Sequence, residues 1–228
     1  MSWRLKIIGK LVLSRLPTGY KFWQRLGVFR HGKMDNVAYA VRVYQAHYEQ
    51  ACLQERNVGM TVMEIGPGDS LLSAMIAHAM GASRIYLLDV GNFVCDNIEI
   101  YKDAVGQLNA MGLKFPDITH LKTVDDLMEI CHAHYLTDGV NSFAKIESGT
   151  VDFVFSQAVL EHVKKKDFPD VMGEMRRVLS PTGICSHRVD LRDHLGGGLN
   201  NLRFSSGLWE SDFMATSGFY TNRISHHS

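Results

Sequence analysis

Apolar residues fall into two rhythms along the chain, short unbroken runs and stripes at helical spacing. Thr61–Ile65, Arg84–Leu88, His134–Thr137, Val151–Phe155 and Gly183–Val189 have the length of strands, and Val151–Phe155 alternates too poorly to face water on either side. Between them the spacing turns helical. Val37, Val41, Tyr44, Tyr48 and Cys52 share one face of a helix that Asp35 or Asn36 opens and that runs to about Gln54. Leu71–Met80 reads as a helix with Asp69 and Ser70 as caps and Gly81 as its stop, and Asp96–Met111 as another stopped by Gly112. Thr123-Val-Asp-Asp126 opens a further helix to about His132 as a capping box with Asp in place of Glu. Asp167–Leu179 turns Phe168, Val171, Met172, Met175 and Val178 inward. Strand and helix alternate, which predicts a doubly wound α/β fold with a mostly parallel sheet and helices on both faces.

The first of these units is the most informative. Thr61-Val-Met-Glu-Ile-Gly-Pro-Gly-Asp-Ser70 runs from a strand through a forced glycine turn into a helix, and the second strand ends in Asp89. A side chain at Gly66 or Gly68 would hold a ligand away from the backbone, and glycine tolerates the φ of a tight turn. A carboxylate at position 89 offers two acceptor oxygens to the paired hydroxyls of a ribose. The sixth position of a dinucleotide fingerprint would be a third glycine, and here it is Leu71.

Glu64-Ile-Gly66-Pro-Gly68, with Asp89 at the next strand end, resembles motif I and its acidic partner in class I S-adenosylmethionine-dependent methyltransferases. Val151-Asp-Phe-Val-Phe-Ser-Gln-Ala-Val-Leu-Glu-His-Val163 is similar to their fourth strand and the segment after it. Arg177-Val-Leu-Ser-Pro-Thr-Gly183 resembles the turn before their fifth strand. The three motifs cover roughly residues 58–192 in the family's order. The resemblance implies a Rossmann-like sheet and S-adenosyl-L-methionine as cofactor, with Glu64, Gly66 and Gly68 near its methionine part and Asp89 at its ribose. It also implies Asp138 near the adenine, and Ser156 and Gln157 at the end of the fourth strand. The activity it implies is methyl transfer to an oxygen or nitrogen of a small-molecule acceptor. A non-catalytic cofactor-binding fragment, an NAD(P)-dependent oxidoreductase and a nucleic-acid methyltransferase using the basic arm are the alternatives.

A hydroxyl acceptor needs a base, and His194, Asp190 and His162 are the candidates. Asp190, Asp193 and His194 form the densest acid–base cluster in the chain, just past the fifth strand. As a base, a metal site or a plain hydrogen-bond network, this cluster stays open. In ubiquinone-biosynthesis O-methyltransferases the segment at Glu161-His162 reads E-x-x-E-H and holds a metal. Here Ala158 replaces the first acid, so no metal ligand is assigned. Tyr44, His47 and Tyr48 either line a pocket or pack in the core.

Residues 1–34 hold eight Lys or Arg and no Asp or Glu, with Leu5, Ile8, Val12 and Leu16 on one helical face. Lys10 interrupts the apolar run that a signal peptide would need. A helix packed on the domain, a transit peptide, and a basic arm making peripheral contact with a membrane or an anionic substrate all fit. The expected division is a basic helical extension over 1–57 and a methyltransferase-like domain over 58–228. The net charge of +0 argues against a specific nucleic-acid partner. Four cysteines without CxxC spacing suit a cytoplasmic protein. After Val189 no convincing strand pair follows, so the C-terminal strands are expected to be missing, through truncation or an abbreviated sheet, leaving the fifth strand as an open edge.

Overall fold

A computed structural model describes residues 34–54, 59–193 and 198–224. The predicted basic arm up to residue 33, the 57/58 boundary and His194 lie outside the described residues. Five parallel strands form one sheet in the order β3-β2-β1-β4-β5. They are β1 (Thr61–Ile65), β2 (Arg84–Leu88), β3 (Ala133–Leu136), β4 (Val151–Gln157) and β5 (Leu179–Arg188). The long helices are α1 (Val37–Gln50), α2 (Leu72–Ala79), α3 (Ile98–Ala110), α4 (Val124–Ile130) and α5 (Phe168–Val178).

Alternation along the strands builds two cores. Val62, Leu87, Phe153 and Phe155 face α1, α2 and α3 and pack with Tyr44, Tyr48, Leu72, Ile76 and Tyr101. Met63, Ile65, Leu88 and Val154 face the other way, onto Phe143, Leu160, Val171 and Met175. Tyr44 meets Phe155 at 5.3 Å between ring centroids, and Tyr48, one turn on, meets Phe153 at 6.3 Å. α1 therefore crosses the face of β4, with Tyr44 and Tyr48 on Phe153 and Phe155 and His47 reaching Gln157 at the strand's carboxyl end.

Several boundaries differ from the pattern for physical reasons. Asn36 caps α1, its side-chain oxygen accepting the Tyr39 N–H at 2.9 Å, but the helix stops at Gln50 and Cys52 takes φ 52°. Cys52, expected on the inner face, is exposed as a result. Ser70 accepts the Leu72 N–H at 3.1 Å, whereas the Asp69 carbonyl accepts from Cys95. β4 continues through Ser156 and Gln157 because β5 pairs with both. β5 begins at Leu179, directly after α5. The register jumps from Val151↔Leu179 to Phe153↔Ile184, so Pro181-Thr182-Gly183, expected as a turn, is a bulge within the strand.

Among the described residues no strand follows β5. A 3-10 turn (Asn200–Arg203) and two short helices, α6 (Ser206–Trp209) and α7 (Asp212–Ala215), gather instead around the fully buried Trp209 with Met214, Phe219 and Tyr220. This cluster is bolted to the loop after β4. The Asn222 side chain donates to the carbonyls of Leu160 (2.7 Å) and Val163 (3.0 Å), and its backbone N–H to that of Glu161 (2.8 Å).

Candidate cofactor and acceptor site

Ligands gather at the carboxyl ends of parallel strands, where the order of the sheet reverses on either side of β1. Gly66 and Gly68 follow β1 there with φ of 72° and 69°, a left-handed backbone that other residues adopt at a cost. The Gly66 N–H donates to the Leu88 carbonyl at 2.7 Å, tying the turn to β2. A Cβ on Gly66 would stand 2.5 Å from Val159 Cγ2, so the glycine is demanded by close packing against the loop after β4 as well as by the turn.

Asp89 ends β2 beside this turn. Its carboxylate accepts the Gly68 N–H at 3.2 Å and the Val90 N–H at 2.7 Å, which fixes its plane at the mouth of the turn. The Asp89 carbonyl accepts the Gly139 N–H at 2.9 Å and so brings the end of β3 alongside. Asp138 lies there, exposed, its N–H donating to Ser142 Oγ at 3.0 Å.

Glu64 points to the α2 face and is 2% exposed, and the Ser73 hydroxyl donates to its carboxylate. Burial raises its carboxyl from 4.5 to about 8; the Ser73 bond pulls it back part of the way and nearby Asp89 adds to the rise. The acid is thus held neutral beside the glycine turn at ordinary pH.

Ser156 and Gln157 end β4 on opposite faces, each engaged by a histidine. Gln157 Oε1 lies 3.2 Å from His47 Nε2, and Ser186 Oγ lies 2.8 Å from His47 Nδ1. An amide oxygen only accepts, so Nε2 carries the proton and Nδ1 accepts from the hydroxyl. Burial lowers the His47 pKa, the Gln157 bond raises it and nearby Arg188 lowers it, which keeps the ring neutral. Ser156 is fully buried and bonds His187 Nδ1 at 2.8 Å. Burial, with His47 nearby, pushes His187 down to about 4, and its Nε2 is buried without a partner among the described residues. In the sequence His47 reads only as a pocket or core residue, and His187 only as a member of the Gly183–Val189 strand. The signal available was strand position: Ser186 and His187 are the register partners of Phe155 and Ser156.

The two proposed bases among the described residues, His162 and Asp190, are held by different partners. His162 is exposed, and its Nδ1 lies 2.8 Å from the Tyr220 carbonyl, so Nδ1 carries the proton and Nε2 the lone pair. Both Asp190 carboxylate oxygens are engaged by Arg192, at 3.1 and 3.2 Å. Asp193 is buried and its carboxylate accepts the Asn200 N–H. Glu161 is also buried. One of its oxygens accepts the Asp190 N–H at 3.2 Å, the other has no partner among the described residues, and burial raises its pKa. Among the described residues no group of three or more His, Cys, Asp or Glu is arranged to hold a metal ion.

The residues present fit S-adenosylmethionine. Asp89 offers carboxylate oxygens, the Gly66–Gly68 turn a close backbone approach, and Glu64 a buried acid able to ionise beside a cation.

A family profile described as a methyltransferase domain matches residues 63–186, more than half of the chain. No curated protein matches it. Among solved structures, a Methanococcus maripaludis protein assigned as an S-adenosyl-L-methionine-dependent methyltransferase is 15% identical, covers 68% of this chain and 60% of its own, and has a TM-score of 0.40. An S-adenosylmethionine-dependent methyltransferase from Mesorhizobium loti is 16% identical over 66% of this chain and 59% of its own, at 0.36. A Haemonchus contortus phosphoethanolamine N-methyltransferase, solved with phosphomonomethylethanolamine and S-adenosylhomocysteine, is 16% identical over 82% of this chain and 40% of its own, at 0.40. The chain thus spans less than two thirds of each of these three.

Proposed function

The chain belongs to the methyltransferase domain family, and from that premise we propose that it transfers the methyl group of S-adenosylmethionine to an oxygen or nitrogen of a small-molecule acceptor. The cofactor supplies a methyl made electrophilic by its sulfonium. The protein's task is then to hold and align two partners, exclude water and take up a proton.

The observation that carries this reading is the anchored Asp89 carboxylate, oriented by the Gly68 and Val90 N–H groups at the carboxyl end of β2. In this reading Asp89 receives the ribose hydroxyls, Gly66 and Gly68 let the methionine part approach the backbone, and Glu64 gives up its proton as the cofactor's positive charge arrives. Asp138 stands at the adenine end, and Gln157, steadied by His47, faces the reacting end. Ser156 serves through His187, since its hydroxyl is committed to that ring.

For a hydroxyl acceptor we assign the base to His162. Its hydrogen bond to Tyr220 fixes the tautomer and leaves the lone pair on Nε2. Asp190 is the weaker candidate because Arg192 occupies both of its oxygens, and His194 stays a candidate on sequence alone.

The test is calorimetric titration of the chain with S-adenosylhomocysteine, with NAD as the control. Binding of the first alone at micromolar level, lost in Asp89→Ala, is the expected result. Binding of NAD alone, or a dissociation constant unchanged by Asp89→Ala, overturns the reading.

A further inference from the structure

Gln157 and Arg188 are register partners at the carboxyl ends of β4 and β5. Their side chains therefore leave the sheet side by side, roughly 5 Å apart at the backbone, on the face that α1 covers. Gln157 is half-buried and Arg188 is exposed. His47 decides what Gln157 presents. Ser186 Oγ lies 2.8 Å from Nδ1 of the ring and Gln157 Oε1 lies 3.2 Å from Nε2. With the ring neutral and its proton on Nε2, the amide oxygen is occupied and the amide NH2 is turned away from His47. Among the described residues nothing accepts from that NH2. The end of β4 thus shows a hydrogen-bond donor.

Arg188 adds a second donor, with a charge. Burial is the main cause of the lowered His47 pKa, and Arg188 stands near enough to add to it. Among the described residues no carboxylate pairs with the Arg188 guanidinium. By contrast Arg177 is bonded to Glu174, Arg192 to Asp190, and Arg223 to the carbonyls of Asn201 and Phe204. Asp190, two residues beyond Arg188, has both oxygens engaged by Arg192. An amide NH2 beside an open guanidinium fork suits a planar group with two oxygens and one negative charge.

The strand order separates this pair from the cofactor turn. Asp89 ends β2 and the Gly66–Gly68 turn follows β1, whereas β5 lies on the far side of β4, two strand spacings or roughly 10 Å from β1. Resting on the methyl-transfer reading, we propose that the methyl acceptor carries a carboxylate, which the Gln157 amide NH2 and the Arg188 guanidinium hold at the ends of β4 and β5.

The chain, with and without saturating S-adenosylhomocysteine, is titrated with benzoate while the isotope-labelled side-chain NH2 signals of Gln157 are followed by NMR. Benzamide is the neutral counterpart and inorganic phosphate the second anion. Benzoate should bind and shift the Gln157 signals, and benzamide should bind about tenfold or more weakly. Arg188→Gln should weaken benzoate about tenfold or more, with the melting temperature and S-adenosylhomocysteine affinity in place. Arg188→Lys should recover part of the loss, since it keeps the charge without the fork. Benzoate affinity untouched by Arg188→Gln, benzamide as tight as benzoate, or binding of phosphate alone overturns the proposal. So does an Arg188→Gln chain that loses affinity for S-adenosylhomocysteine but not for methylthioadenosine, which lacks the aminoacyl part; the carboxylate held would then be the cofactor's own. Asp89-dependent S-adenosylhomocysteine binding with no benzoate binding sinks this inference alone. Arg188-dependent benzoate binding by a chain that takes up no S-adenosylhomocysteine supports the carboxylate pair and sinks the methyl-transfer reading instead.

Discussion

Glu64 gives folding a pH dependence whose sign is fixed by its environment. In the unfolded chain its carboxyl ionises near 4.5, and in the folded protein burial lifts that to about 8. Between these values the folded state keeps a proton that the unfolded state has released. The contribution of this group to stability therefore falls as pH rises through that window and is level above it. Glu64→Gln keeps an acceptor for Ser73 and removes the titration. Melting curves from about pH 5 to about pH 9 should show the variant gaining on the wild type up to about pH 8; a constant difference between the two would refute the assignment. Gly66→Ala should lose about 1–3 kcal/mol to backbone strain, with a further loss from the clash with Val159. Adding Val159→Ala should return the second part and leave the first, as read by denaturant titration. That Glu64, Gly66, Gly68 and Asp89 come together was legible in the sequence because one strand–turn–helix unit and the next strand end contain them all. The histidine pairings at the end of β4 were not: His47 reaches Gln157 across 110 residues and Ser156 reaches His187 across 31, and no local pattern marks either pairing.

Among the elements, local chemistry predicted beginnings better than ends. The capping box at Thr123 formed as expected, with Thr123 Oγ1 accepting the Asp126 N–H at 3.1 Å and the Asp126 carboxylate accepting the Thr123 N–H at 2.9 Å. Thr123→Ala should destabilise the chain by about 1 kcal/mol in chemical denaturation and leave S-adenosylhomocysteine binding unchanged, since α4 flanks β3, away from the glycine turn. Caps are read from four consecutive residues, so they survive the absence of tertiary information. The ends of α1, β4 and β5 depend on neighbours. Gln157 is strand because Arg188 lies opposite, and Leu179 is strand because Val151 does. Pro181 and Gly183 looked like a turn because a bulge uses the same residues to break the ladder.

For the whole molecule, the alternating pattern identified the doubly wound class, whereas the packing of residues 200–224 was invisible. Trp209, Met214, Phe219 and Tyr220 follow no clean period, since each is placed by a separate short helix or loop around one indole. Asn222 joins that cluster to the loop carrying Glu161 and His162. Asn222→Ala removes the donor to the Val163 carbonyl and leaves the Leu160 carbonyl only the Val163 N–H at 3.3 Å, and should cost about 1–3 kcal/mol. Hydrogen exchange should show amides of residues 200–222 losing protection while those of β1 and β2 keep theirs; equal loss in both would mean that the cluster and the sheet unfold as one unit.

The strand order also sets a timetable. β1 occupies the centre of the sheet, yet only β2 follows it closely in the chain. Its other edge waits for β4, whose Asp152 accepts the Thr61 N–H across 91 residues. At a synthesis rate of about 5–20 residues per second, that edge stays open on the ribosome for roughly 5–20 s. During that interval the half-sheet of β1, β2 and β3 presents unpaired backbone and the side chains of Met63 and Ile65 to whatever is nearby. A nascent chain arrested before Phe153 should therefore recruit chaperones, and one arrested beyond β5 should release them.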